Sequence, residues 1–196
     1  MIAKALKEAT KEQHEALEQI VNIMDESTDL NSYGNLLLKF YRIYATLEPL
    51  IPNDLLLENG FNYKTREKLP HLLKDLKVLG LSSAAENLIR YERVPDMQNA
   101  ARAFGVLYVI EGSTLGGQVI SRHLRDRLGL TPDNGAAFFS SYGHEVGQKW
   151  KEFCDALNRF GEIFPEMHSE IIDAAKETFS AFAECFKEQR QISITA

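Results

Sequence analysis

The stretch GVLYVIEGSTLGGQVISRHL, Gly105 to Leu124, starts as an apolar helix and then sets Gly112, Ser113, Thr114, Gly116 and Gly117 within about two turns. Each glycine in a helix interior costs about 1 kcal/mol relative to alanine, in a domain whose whole stability margin is about 5–15 kcal/mol. Gly112 and Gly116 lie one turn apart on one face, with Gly117 beside them, so the helix presents bare backbone there. Bare backbone lets another helix or a flat ligand come close, and it lets the helix bend. On the residues alone, both occupants stay open.

The pattern on either side is helical as well. The glycine stretch belongs to a run from about Asp96, a plausible N-cap, to Leu128, with Gly129 and Pro132 as the stop. Upstream, Ile2, Leu6, Ala9, Gln13, Ala16, Leu17, Ile20 and Met24 recur at steps of three and four, the period of an amphipathic helix. A second helix is expected from about Ser32 to Leu50, where Pro49 and Pro52 end it, and a third from about Thr65 to Val78, with Pro70 near its start and Gly80 after its end. Downstream, a turn-rich Thr131–Gly135 and a short stretch at Ala136 to Tyr142 precede helices at about Glu145 to Phe160 and Pro165 to Gln189. Strand-like alternation, repeats and low-complexity linkers are missing from the pattern. It predicts an all-α fold, with residues 1–196 as a single domain.

Composition narrows the class. Hydrophobic residues make up 44% and charged residues 26% of the 196 residues, which is globular rather than disordered. The net charge of −6 is spread along the chain without a basic block, which argues against nucleic acid as a partner. Cys154 and Cys185 form no C-x-x-C pair and read as small apolar side chains. Lys4, Lys7, Glu8, Lys11 and Glu12 leave no room for the apolar centre of a signal peptide. No window reads as a membrane span, and no apolar tail follows Ile194. A freely soluble protein of a reducing cytoplasm is expected, with no membrane partner.

Lys7, Lys11, His14 and Glu18 follow one another at steps of four, three and four, so they share one stripe of the first helix, bordering its apolar face. A neutral imidazole at such an edge is a natural metal ligand. The two lysines could reach negative groups, and Glu18 could fix the ring's tautomer directly or through water. The same row also fits an ordinary boundary histidine among surface charges. His71, His123, His144 and His168 are scattered, and no E-x-x-H occurs, which argues against a di-iron carboxylate site. An edge histidine with cationic neighbours on one helix, and a bare, bendable backbone on another, would suit a planar iron porphyrin held between them.

LKEATKEQHEALE (Leu6 to Glu18) is similar to the opening of heme oxygenases, FYRIYATLEP (Phe40 to Pro49) resembles their second-helix stretch, and LYVIEGSTLGGQVISRHL (Leu107 to Leu124) resembles their glycine-rich distal helix, particularly in the bacterial, biliverdin-producing branch. The resemblance implies a helical bundle with heme b sandwiched between the first, proximal helix and a long, kinked distal helix. It implies His14 as the axial iron ligand and Gly112 and Gly116 or Gly117 over the other ring face. Lys7 and Lys11 match positions that contact heme propionates, and Lys149 or Lys151 is expected to supply a second cation, although Asp155 stands where an arginine would be looked for. Animal members carry an aspartate where this chain has Ser113. Hydrogen bonds to the oxygen substrate are therefore expected from N–H groups and ordered water near Ser113 and Thr114. The implied reaction cleaves heme to biliverdin, CO and ferrous iron with O₂ and electrons from an external donor, a ferredoxin, flavodoxin or flavoprotein reductase. Glu18 is expected to touch His14 only weakly, because an anionic imidazolate would favour O–O cleavage instead.

Two rivals remain at this level. A carrier or sensor that binds heme without degrading it would share His14 and the glycines, and would need a second strong ligand such as His123. A thiamin-degrading relative of the same fold would need a cysteine nucleophile near acidic residues, which Cys154 and Cys185 do not suggest.

Overall fold

In a computed structural model the described residues, 1–188, form ten α-helices linked by turns and short 3₁₀ segments, and none of them is in a strand. In chain order these are α1 (Ile2–Ala9), α2 (Lys11–Val21), α3 (Leu30–Leu47), α4 (Asn53–Glu58), α5 (Leu69–Val78), α6 (Ser82–Glu86), α7 (Ala100–Ser113), α8 (Gly117–Leu128), α9 (Val146–Ile163) and α10 (His168–Lys187).

α7 is the axis of the core. Ten of its residues, from Ala100 to Glu111, are buried. α10 crosses it so closely that a side chain on Gly105 would collide with the Ile171 carbonyl and with Ala174. On another side α9 runs antiparallel to α7, with Phe104 between Phe153 and Phe160 and with Tyr108 and Gly112 against Trp150. α1 also runs antiparallel to α9: Ile2 packs on Gly161, and the Ala3 N–H donates to Asn158 Oδ1 at 3.1 Å. α1 and α7 therefore climb α9 in the same direction.

The sequence pattern misplaces several boundaries, each for a local reason. The expected first helix is two, because at Thr10 (φ −115°, ψ 5°) the chain leaves helical geometry and the Thr10 hydroxyl turns back to the Leu6 carbonyl at 2.8 Å. The stripe from Lys7 to Glu18 is bent at that point. The long run from Asp96 is capped by Asn99, whose side chain accepts the Arg102 N–H at 3.0 Å, while Asp96 pairs with the Arg102 side chain. That run also breaks, with a 3₁₀ turn at Thr114–Gly116 between α7 and α8. The third helix begins at Leu69 rather than Thr65, with Pro70 in its first turn. The short helices α4 and α6 carry too few residues to show a period. The expected end of the last helix at Gln189 and the tail after Ile194 lie outside the described residues.

Ala100–Leu128 is long and apolar enough to pass a test of length and composition for a membrane span, although Glu111, Ser113 and Thr114 interrupt its apolar run. Half of its most apolar window is buried by the rest of the chain, and the 3₁₀ turn interrupts it, as befits a core helix.

Candidate functional site

The site is built where α2 parts from α7. The Thr10 hydroxyl meets the Tyr108 phenol, joining the start of α2 to the middle of α7. His14 lies one turn past Thr10 and Gly112 one turn past Tyr108. α2 packs chiefly along α10, and none of its residues is buried, not even Leu17 and Ile20. α2 and α7 thus share α10 as a common support.

His14 stands on α2, in its first two turns. One edge of its ring meets Phe179 of α10 in a T-shaped contact, centroids 5.8 Å apart, and 53% of the side chain remains exposed. Its backbone N–H is tied to the Thr10 carbonyl at 3.0 Å. Glu18 Oε2 lies 3.8 Å from Nδ1, beyond direct hydrogen-bond reach, as the sequence reading expected of a weak partner.

At the α7–α8 break the glycines differ in what they meet. Gly117 answers to protein packing, since a Cβ there would strike the Phe139 carbonyl. Gly112 meets the Trp150 ring at an ordinary 3.6 Å, and Gly116 meets only Ile120 of its own next turn at 3.8 Å. Helix–helix packing thus explains Gly105 and Gly117 and leaves Gly116 facing open space, with Leu115 and Val119 exposed beside it. The turn is shaped by its own hydroxyls: Ser113 Oγ donates to the Ile110 carbonyl at 2.7 Å and Thr114 Oγ1 to the Glu111 carbonyl at 2.6 Å. Their protons are committed, so toward a bound molecule these side chains act as acceptors. Ser113 is also in contact with the Tyr44 hydroxyl, whose pKa burial pushes far up, keeping it a neutral donor.

The expected cations divide. Lys7 is exposed and, among the described residues, has no ion pair. Lys11 sits 3.8 Å from Glu15. On α9, Lys149 has its carbonyl taken by Arg66 and its ammonium 3.6 Å from Glu152, while Lys151 is held by Asp155 at 2.6 Å. The structure sets Gly112, Ser113, Thr114 and Gly116 at the α7–α8 break and His14 on α2 against Phe179 of α10, whereas Lys151 is turned to a surface carboxylate. On α8, His123 Nε2 is shielded without a hydrogen-bond partner.

Sequence reasoning missed three features. Phe179 and the Thr10–Tyr108 junction join residues far apart in the chain and leave no local signal. Glu111 did leave one, a lone carboxylate in the apolar run LYVIEG. It is 1% exposed and accepts from Arg66 (3.0 Å), Lys68 (2.9 Å) and Tyr142 (2.8 Å). Lys68 also donates to Tyr142 Oη at 2.6 Å and to the Arg66 carbonyl, and burial pulls its pKa down.

The chain matches the family model described as heme oxygenase over residues 1–188. It is 36% identical over 158 residues to a heme oxygenase of Xanthomonas campestris pv. campestris, covering 80% of this chain and 90% of that one. Its fold is that of a heme oxygenase from Neisseria meningitidis whose structure was solved with NO and CO bound (TM-score 0.81, 22% identity, 96% of this chain and 91% of that one). A heme oxygenase from Leptospira interrogans is also similar in fold (TM-score 0.69, 20% identity, 95% and 98%). Built on that fold, and with a sequence match running its described length, this chain belongs to the heme oxygenase family.

Proposed function

We propose that this heme oxygenase holds heme b between α2 and the α7–α8 break, with His14 as the axial ligand of the iron. The observation that carries the reading is the half-exposed His14 ring, backed by Phe179 and standing one turn past Thr10, which adjoins Tyr108 one turn before Gly112. The fit is steric as well as chemical. An unburied helix supplies a nitrogen ligand with an apolar flank, and Gly116 leaves bare backbone between the exposed apolar side chains of Leu115 and Val119.

Heme, substrate and cofactor at once, supplies the iron at which O₂ is reduced with electrons from an external donor, the ring being opened to biliverdin, CO and ferrous iron. The chain's own part is orientation, exclusion and proton handling. Phe179 limits the rotation of the His14 ring. Gly112 and Gly116 allow the backbone to approach the ring face and constrain what fits beside it. Ser113 and Thr114, with protons committed to carbonyls, hold ordered water by their lone pairs, and Tyr44 lies behind Ser113 as a neutral hydroxyl. Lys7 and Lys11, on either side of the α1–α2 bend, would hold one propionate, and Lys149, less tightly paired than Lys151, would hold the other. A ferredoxin, flavodoxin or flavoprotein reductase is the proposed donor, and the unpaired thiols of Cys154 and Cys185 suit a reducing cytoplasm.

The test is an absorption titration with hemin, followed by ascorbate in air, on the wild type and His14→Ala. A histidine-type Soret band that decays to a biliverdin-like spectrum in the wild type, and is absent in His14→Ala, is the expected result. A non-degrading heme carrier is the second reading, favoured by the unpartnered His123 Nε2. It predicts a heme spectrum that survives reductant, O₂ and a supplied reductase, and that becomes reactive in His123→Ala.

A further inference from the structure

The break between α7 and α8 is spanned by a single piece of chain. The segment from Ala136 to Tyr142 touches both ends of the 3₁₀ turn: the Tyr142 hydroxyl donates to the Glu111 carboxylate at 2.8 Å on the near side, and the Phe139 carbonyl lies against Gly117 on the far side. The segment itself is anchored by Asp75 of α5, whose two carboxylate oxygens accept the Ala137 and Phe138 N–H groups at 2.8 and 2.7 Å. Between the two touching points the turn rests on Trp150 of α9 and on the Tyr44 hydroxyl, its own hydroxyls donate to carbonyls of α7, and Gly116 faces open space.

The near contact is a buried charged cluster rather than a single hydrogen bond. Glu111 receives Arg66, Lys68 and Tyr142 from two other segments, and Arg66 continues to the half-exposed Glu152 at 2.6 Å. The Arg66 guanidinium lies 4.8 Å over the Phe61 ring and the Lys68 ammonium 4.2 Å over the Tyr142 ring, so neither cation is free to move away. Apolar packing of the same volume would stabilise the fold at least as well as such a cluster. What the cluster adds is direction, because a carboxylate fixed by three donors from outside its helix sets that helix end in one place.

We propose that the 136–142 segment is a strap that sets the pitch of the α7–α8 break, with Glu111 and Gly117 as its two points of attachment. Glu111 is then a positioning residue for the heme reaction, acting through Gly112 and Gly116 and touching no substrate. The proposal rests on the heme reading above. It assigns the orientation of the heme face, and with it the choice of ring carbon attacked, to residues remote from the iron.

The experiment compares Glu111→Gln, Tyr142→Phe and Gly117→Ala with the wild type, and uses Leu38→Ala in the core of α3 as a control that lowers Tm while keeping every polar attachment of the strap. Two readouts are independent of turnover: amide hydrogen exchange of residues 112–117 in the heme-free protein, and azide affinity of the ferric hemin complex. A third is the ratio of biliverdin isomers. In the strap variants exchange should quicken at 112–117, azide affinity should change by at least about threefold, as for partners in one network, and the isomer ratio should shift, while hemin still binds with its histidine-type spectrum. Leu38→Ala should show none of these changes at a similar loss of Tm. Tyr142→Phe keeps every charge, so it carries the test if Glu111→Gln does not fold. Wild-type exchange, azide affinity and isomer ratio in a folded Tyr142→Phe would overturn the proposal. Failure of the wild type to bind hemin would instead overturn the heme reading and leave the exchange result to judge the strap alone.

Discussion

At the scale of single residues, the site separates groups that only decorate His14 from those that hold it. Glu18 lies 3.8 Å away on an exposed helix face, and an exposed pair of this kind is worth about 0–1 kcal/mol. Glu18→Gln should therefore leave Tm and the hemin spectrum close to wild type. Phe179 is 4% exposed and forms the wall behind the imidazole. Phe179→Ala should cost about 3–5 kcal/mol, the range for emptying a buried aromatic site, and should weaken hemin binding in the same titration. That His14 shares a helix face with Lys11 and Glu18 was legible in the sequence, because it depends only on spacing, whereas the break at Thr10 that parts Lys7 from them was not. Nor was Phe179, because a contact between residues 14 and 179 exists only after α10 has folded back along α2. Glu111 falls between the two: its charge is conspicuous in an apolar run, but its partners at 66, 68 and 142 come from loops that have no period to read.

At the scale of the helix, two glycines of one stretch should behave oppositely. Gly105 lies under the Ile171 carbonyl, so Gly105→Ala should overpack the α7–α10 crossing and cost about 1–3 kcal/mol, seen as a lower urea midpoint. Gly116 has ordinary right-handed geometry (φ −72°, ψ −17°) and space around it. Gly116→Ala should therefore leave the heme-free protein as stable as wild type or more so, by up to about 1 kcal/mol, while hemin affinity falls. A variant that gains stability and keeps full hemin affinity would show that the bare backbone at Gly116 is not where the ring lies. The sequence pattern placed helices well where apolar side chains recur over four turns or more, as in α3, α9 and α10. It missed the breaks at Thr10 and Thr114–Gly116, where the period runs on unbroken and only a hydroxyl returning to a carbonyl ends the helix. Glycines announced the second break, and nothing comparable announced the first.

At the scale of the whole molecule, the buried hydroxyls and thiols set an alkaline limit. Burial raises the pKa of Tyr33, Tyr44, Tyr63 and Tyr142 far above the ordinary value of 10.0, and raises both cysteine thiols from 9.0 to about 11. Each of these groups keeps its proton in the folded chain at a pH where the unfolded chain has lost it, so the folded state binds more protons and stability falls as pH rises. The loss should begin near pH 9 with the thiols and steepen above pH 10 with the tyrosines. Lys68, whose pKa is lowered by burial, works in the opposite direction, but it is one group against six. Urea midpoints measured from pH 8 to 11 should fall throughout the upper half of that range, and a flat profile would mean that these side chains are hydrated in solution. For the same reason, Cys154 and Cys185 should react only slowly with a thiol reagent at pH 8.

α2 has no buried residue of its own. If the heme ring lies against it, this helix completes its hydrophobic contacts with the molecule that the enzyme destroys. Binding then tightens the entire amino-terminal arm by mass action, and opening the ring withdraws that support. An open, twisted tetrapyrrole no longer fits a slot made for a flat one. The arm loosens at the moment when product must leave, so turnover carries its own release step and needs no separate gate.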